Sequence, residues 1–547
     1  MKITFLGANH EVTGSRTLLE WRTGKYALVD CGMEQGNDVY ENPPLPVPAG
    51  NISVVLLTHA HIDHTGNLPL LYNQGFRGKV YATKETVKLC SIMLADSAHI
   101  QMMEAEYANR KAERAGGPMV APAYTTEDVA ALMEHFVPCS YEETIPVAEG
   151  LSIRFTDIGH LLGSAALTCQ MEDQGVQKTM VFSGDVGNTN QPIINDPKAV
   201  PHGDYLMIES TYGDRLHPPR TDPIPVLAQV IQRTLDRGGN LIIPAFAVGR
   251  TQEMLYFIRH IKQHHLVNGH DGFPVYVDSP LANEATQIFL RADPSCLDDE
   301  TRAILKSGHN PIDFDGLHAS VTAEDSKRLN DDPTPKVIIS ASGMCDAGRV
   351  RHHLKYNLWR EESTVLFVGY QAGGTLGRLL YDGTASVRLF GDEIAVRAEI
   401  TSLQGISGHA DQAGLLGWLQ GFDPIPPCIF VNHGEDQVCG AFADLLMEKF
   451  HTAAYAPFSG SIFDLAAGQW VTLTDGVPIK ASQDSTDSTS ASRAAHKAQL
   501  RKYQAYSAFL DAASRLMSIA QQSEGLANRE LQRLTDRINQ LIHDIRN

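Results

Sequence analysis

The chain has 547 residues, 43% of them hydrophobic and 20% charged, with a formal net charge of -19. Single cores stop growing near ~250–300 residues, so several domains are expected, and the composition excludes a disordered or fibrous chain. No run approaches the roughly 18–20 apolar residues of a membrane span, and the excess of acid argues against a broadly basic nucleic-acid coat. Acidity leaves room for an enzyme that grips nucleic acid through a metal site and a few arginines, because net charge speaks to solubility and non-specific attraction.

Residues 1–7 have no long apolar run of the signal-peptide kind and read as a first strand. Strands are then predicted at 26–30, 53–58, 79–83, 151–156, 165–172 and 179–183, with helices at 85–106 and 126–135 between them. Several apolar runs end at polar residues: Asp30, His59, His160 and Asp185. This mixture predicts an α/β sandwich. A second α/β pattern starts near Tyr205, with buried strands at 241–244, 275–278, 337–340 and 365–369 and helices at 251–264 and 349–358. That spacing fits helices between parallel strands. Shorter strands return at 396–402 and 428–432. A Ser/Thr/Asp-rich stretch over 481–492 reads as a flexible linker, and 493–547 as helical with a break at Gly525. The eight cysteines contain no Cys-x-x-Cys pair. That argues against a disulfide scaffold or a cysteine zinc module, and a reducing cytoplasm is expected.

The strongest chemical signal is Thr58-His59-Ala60-His61-Ile62-Asp63-His64-Thr65-Gly66, directly after the apolar run 54–57. Four candidate ligands fall within six positions on a loop leaving a buried strand. Neutral imidazole and carboxylate are the usual ligands of zinc-like ions. Single histidines such as His10 and His217 read instead as solvated. One short loop cannot close two metal sites, so partners are expected downstream. His160 in Gly159-His160-Leu161, Asp185 in Ser183-Gly184-Asp185 and His433 in Asn432-His433-Gly434 follow downstream; each alone reads as turn chemistry, and together behind the cluster they are a strong signal.

These motifs resemble those of the metallo-β-lactamase superfamily, matched by Asp30, the His59–His64 cluster, His160 and Asp185. The likeness narrows further. Ile208-Glu209-Ser210-Thr211-Tyr212-Gly213 resembles motif A of the β-CASP nucleases, Ser407-Gly408-His409-Ala410-Asp411 motif B, and Val431-Asn432-His433-Gly434-Glu435 motif C. The stretches 244–250, 278–281 and 341–344 resemble further family segments. Motif B carries Gly408 where relatives often have alanine, a change expected to be tolerated. The resemblance runs from residue 1 to about 475, and its nearest branch is the RNA-processing one.

The resemblance implies an αββα metallo-β-lactamase sandwich with an inserted α/β β-CASP domain and a C-terminal helical tail. The expected division is 1–208 and 385–475 for the sandwich, 209–384 for the insertion, 476–492 for the linker and 493–547 for the tail. It implies that one metal takes His59, His61 and His160, the other takes Asp63, His64 and His433, and Asp185 bridges them. The expected cofactors are two zinc ions, with manganese as the substitute. Two such ions about 3.5–4 Å apart share an anionic ligand and generate a hydroxide at neutral pH. Asp30 is expected to orient a ligand from behind. His409 is the candidate general acid and Glu209 the carboxylate that holds it, with Asp63 in the catalytic group. Ser407, Arg250 and Arg349 are candidate phosphate contacts.

The implied function is a metal-dependent RNA phosphodiesterase, an endoribonuclease with 5'-to-3' exonuclease action as a second mode, in RNA processing or decay. A DNA nuclease of the same superfamily and a small-molecule metallo-hydrolase are the competing readings. His433 favours RNA, since the DNA branch typically has valine there. No membrane partner is expected. Apolar Leu531, Leu534, Ile538, Leu541 and Ile545 give the tail a heptad-like spacing, too short for a coiled coil, which reads as a helical accessory element: a hairpin packed on the body, or an element through which a homodimer or a protein partner docks.

Overall fold

Alternating and fully apolar runs sort the strands of the first unit into three large sheets. The computed structural model describes residues 1–35, 39–219, 221–479, 532, 533 and 535–537. It divides into two units, Met1–Ile479 and Lys480–Asn547. In the second, residues 532–533 and 535–537 are helical; the rest of the expected tail and most of the expected linker lie outside the described residues.

The first sheet has eight strands in the order Gln469–Thr472, Ile462–Asp464, Lys2–Gly7, Arg16–Arg22, Lys25–Val29, Ile52–Leu56, Lys79–Thr83 and Phe136–Cys139. The second has seven, in the order Ala453–Tyr455, Cys428–Asn432, Tyr205–Glu209, Val176–Phe182, Ala165–Asp173, Leu151–Asp157 and Ile145–Ala148. The two stack through aromatic side chains: Phe5 lies 5.1 Å from Phe430, and Phe430 lies 5.1 Å from Phe463. The strands Tyr205–Glu209 and Cys428–Asn432 are buried at every position, as parallel central strands covered on both faces must be. They pair in parallel, with Glu209 opposite Asn432. The segment read as opening the second pattern near Tyr205 therefore belongs to the sandwich.

The third sheet is wholly parallel, in the order Leu317–Ala319, Val275–Val277, Val337–Ser340, Leu241–Pro244, Thr364–Phe367 and Glu399–Ser402. The chain enters it after Glu209 and leaves it through Glu399–Ser402, which pairs with Thr364–Phe367. The inserted sheet thus takes a strand from beyond 384, the limit expected from sequence. Helix Lys84–Ala115 is started by the Thr83 side chain, which accepts from the Thr86 amide, and is ended by Gly116 in the left-handed region. It is longer than the 85–106 expected, and its Leu89 and Met93 share a core with Ala285 and Phe289 of the insertion's helix Pro280–Leu290. Residues 477 and 479 exchange backbone hydrogen bonds with Glu41 and Val39, so the expected linker from 476 begins as a paired segment. Among the described residues no helix is long and apolar enough to cross a membrane.

Candidate active site

The strand Ile52–Leu56 delivers Thr58 and His59 to the mouth of the sandwich. Asp30, at the end of the neighbouring strand, holds them: its carboxylate accepts the Thr58 amide and hydroxyl, both at 2.9 Å. The same carboxylate accepts His64 Nδ1 at 2.8 Å. That bond turns His64 Nε2 towards the centre, the usual way a carboxylate orients an imidazole ligand. Asp63 and His64 ride on the single turn Ile62–Thr65, clamped by the Ser15 amide on the Asp63 carbonyl and the Cys31 amide on the His64 carbonyl, both at 2.8 Å.

Asp185 arrives after Gly184, whose φ is +57°; a Cβ there would stand 2.8 Å from Thr58 Cβ, so glycine is required at this approach. His160 is fixed by the Ser164 hydroxyl, which accepts its backbone amide at 3.0 Å. His433 reaches the site because its strand pairs with Tyr205–Glu209 and its amide donates to the Ala8 carbonyl at 2.7 Å. His433 Nδ1 lies 3.1 Å from the Thr211 hydroxyl.

Two ligand groups result, His59, His61, His160 with Asp185, and Asp63, His64 with His433. The Asp185 carboxylate stands between them. Its Oδ2 is 3.5 Å from His59 Nε2 and 3.6 Å from His160 Nε2; its Oδ1 is 3.3 Å from His64 Nε2 and 3.6 Å from His433 Nε2. His433 Nε2 is also 3.6 Å from Asp63 Oδ2.

The arrangement fits divalent metal. Asp185 Oδ1 is buried without a hydrogen-bond partner, and such an atom is costly unless a cation answers it. Ring nitrogens face each other at 3.0 Å in His59 and His61 and at 3.3 Å in His64 and His433, spacing that a shared cation explains. Burial holds His59, His61 and His160 below the usual imidazole value, so they are neutral and able to ligate. Burial pushes Asp63 up, but the His433 hydrogen bond and neighbouring imidazoles outweigh it and hold the carboxyl at about 2. His64 is pushed up against its burial by Asp185 and Asp30.

His409 belongs to neither group. Its Nδ1 lies 3.1 and 3.2 Å from the two Glu209 oxygens, and its ring centre is 4.5 Å from that of His160. Burial pushes this imidazole down, the Glu209 carboxylate pushes it up more, and the balance stands at about 9. Glu209 is itself anchored by the Val186 amide at 2.6 Å and is almost fully buried. At Gly408 an added Cβ would lie 3.8 Å from His160 Cε1, an ordinary contact, so alanine would fit there, as the sequence reading expects.

The three candidate phosphate contacts separate. Ser407 stands beside His409, its hydroxyl accepting the His409 amide at 3.3 Å. Arg250 is paired with Glu253 one turn on along its own helix. Arg349 donates to Asp278 at 2.8 Å and to the Ser320 and Val321 carbonyls. These bonds tie both arginines to the inserted domain.

The two histidines read as solvated are not free. His10 is buried, stacked 3.7 Å from Phe458 and 2.7 Å from Asp436, and His217 Nε2 lies 2.9 Å from the His409 carbonyl. Thr58 and Thr211 hydrogen-bond to candidate ligands or to the carboxylate behind them; both stand within the quoted motifs, but sequence reasoning gave neither a role. Gln191, which donates to the Gly159 and Gly408 carbonyls, carries no sequence signal.

Three family models match successive parts of the chain: a metallo-beta-lactamase superfamily domain over 18–196, a Beta-Casp domain over 251–380 and a Zn-dependent metallo-hydrolase RNA specificity domain over 393–457. A ribonuclease of Thermus thermophilus is 37% identical over 463 residues, spanning 84% of this chain and all of the relative. The transcription termination factor FttA of Methanosarcina mazei is 30% identical over 462 residues, 82% of this chain and 69% of its own. That of Pyrococcus abyssi is 30% identical over 477 residues, 84% and 70% respectively. With all three domains matched in order and one relative aligned over its whole length, the chain belongs to the β-CASP family of the metallo-β-lactamase superfamily.

Proposed function

We propose that the chain is a metal-dependent RNA phosphodiesterase that cuts internally, with 5'-to-3' exonuclease action as a second mode. The observation that carries this reading is the position of Asp185, one oxygen towards each ligand group, with the paired His409 and Glu209 beside it. The RNA-specificity match over 393–457 includes Ser407, His409 and His433, and the Thermus relative is named a ribonuclease. Both support RNA as the substrate, as does histidine rather than valine in motif C.

Zinc suits the donor set of imidazoles and carboxylates, and two ions suit the two groups. His59, His61 and His160 would hold one, Asp63, His64 and His433 the other, with Asp185 shared. When bound, such a pair supplies the charge that neutralises a phosphodiester and activates water. The chain's own residues do the rest. Asp30 and Thr58 keep the ligand loop oriented. Glu209 accepts from His409 Nδ1 and keeps the imidazole charged, leaving Nε2 to protonate the departing 3'-oxygen. The products would carry 3'-hydroxyl and 5'-phosphate ends. Ser407, beside His409, is the nearest of the candidate phosphate contacts.

We divide the first unit by its sheets: strands from Lys2–Gly7 to Tyr205–Glu209 and from Cys428–Asn432 onward form the sandwich, and strands from Leu241–Pro244 to Glu399–Ser402 form the insertion. The apolar spacing at Leu531, Leu534, Ile538, Leu541 and Ile545 assigns the tail a docking role, for a second copy or a protein partner. Eight free, buried cysteines fit a reducing, cytoplasmic setting.

The test is end-labelled single-stranded RNA incubated with remetallated protein and with its Asp185→Ala variant. Shortened products from the first and intact RNA with the second support the function. Equal cleavage by both would remove this site from the reaction.

A further inference from the structure

All strands of the inserted sheet run the same way, so their carboxyl ends lie along one edge. Ligands in open parallel sheets bind outside that edge. Here the edge faces the candidate site, because Glu399–Ser402 runs on directly to Ser407 and His409, and the loop after Leu241–Pro244 reaches Leu161, next to His160: a Cβ on Gly249 would stand 3.2 Å from Leu161.

Two large rings stand exposed on this edge. Phe246 follows Leu241–Pro244 and is 50% exposed; Tyr370 follows Thr364–Phe367 and is 59% exposed. Their backbones are fixed. The Phe246 carbonyl accepts both the amide and the hydroxyl of Thr251, at 3.2 and 2.7 Å. The Gln371 side-chain amide donates to the Tyr370 and Gly343 carbonyls, both at 3.1 Å. Gly343 in turn lies against the Phe246 ring, where a Cβ would stand 3.4 Å from Cδ2. Gln371 thus ties the loop bearing Tyr370 to the one that Phe246 packs on.

Exposed rings on a rigid rim beside a phosphodiester site match what unpaired bases require, since every base offers a π-face. We propose that Phe246 and Tyr370 form a stacking platform for the bases of single-stranded RNA that flank the cleaved bond. The proposal rests on the RNA function above.

The experiment measures kcat and KM on a short single-stranded RNA and on the same RNA with one abasic nucleotide moved along it. Base–aromatic stacking is worth roughly tenfold to a hundredfold per base. In the wild type, an abasic nucleotide at one or two positions beside the cut should lower kcat/KM by that much, mostly through KM. Phe246→Ala and Tyr370→Ala should each show the loss on intact RNA and no further loss when the matching base is missing. Phe246→Tyr and Tyr370→Phe, which keep a ring, should restore it. Metal content of every variant, by elemental analysis, separates this from damage to the centre. Alanine variants with full kcat/KM, or an unchanged abasic penalty in them, would overturn the platform alone. A wild type that cleaves no RNA would remove the RNA function and the platform with it.

Discussion

Replacing His409 with alanine tests the proposed division between proton transfer and metal binding. The His409 ring sits beside His160 at 4.5 Å, yet its Nδ1 is committed to Glu209 and it lies in neither ligand group. Removing it should leave the metal content unchanged. The cost should be that of a positioned general acid, roughly 10²–10⁴-fold in rate. Glu209→Gln keeps the size of the side chain and loses its charge, so its defect should be milder. The sign of its pH dependence follows from the structure. The Glu209 carboxylate raises the His409 pKa to about 9, so the acid form persists across neutral pH. Without that charge the proton leaves at lower pH, and the variant's defect should grow as pH rises. The double variant should be no worse than His409→Ala, because the two side chains act as one unit. Single-turnover rates on labelled RNA across a pH series, with elemental analysis of each variant, read all of this. Full activity in His409→Ala, or loss of a metal equivalent from it, would refute the assignment.

Asp185→Ala should lower occupancy at both metal positions, since its oxygens point to different ligand groups; retention of two full equivalents by elemental analysis would contradict the shared role. Asp30→Ala should weaken metal affinity roughly 10- to 100-fold without removing a ligand, measured by competition with a chelator. In the inserted domain, burial pushes Asp278 up, but hydrogen bonds from His353, Ser326 and Arg349 outweigh it and hold the carboxyl well below the usual range. The stability this gives is present above the unfolded carboxylate's pKa of about 3.9 and is lost as pH falls through the lower folded value. Asp278→Asn should therefore cost about 3–5 kcal/mol near neutral pH, and the gap from wild type, read from urea midpoints, should narrow in acid. A gap independent of pH would show that charge is not what the network uses.

The His59–His64 cluster was legible because its candidate ligands crowd one loop after one strand. The remaining candidates lie far along the chain, and single residues such as His160 or His433 mean little alone. What joins His433 to the cluster is the parallel pairing of Cys428–Asn432 with Tyr205–Glu209, a long-range contact that only the order of family motifs betrays. Arg349 shows the opposite case. An arginine near a loop end reads as a phosphate contact, yet its fork is taken by Asp278 and two carbonyls, partners that spacing cannot reveal. His10 is likewise fixed by Phe458 and Asp436, residues far away in sequence. The strand Glu399–Ser402 has no apolar run, being half-buried at each position, so its place in the inserted sheet lay hidden behind the expected limit of 384.

The most direct measurement is a zinc titration of chelated protein, followed by cleavage of matched 5'-labelled RNA and DNA. No cleavage without metal, RNA cleavage that reaches full rate at two equivalents, and DNA left intact are expected. RNA cleavage by the metal-free protein, intact RNA at full metal occupancy, or preferred cleavage of the DNA would contradict a two-metal ribonuclease built on Asp185.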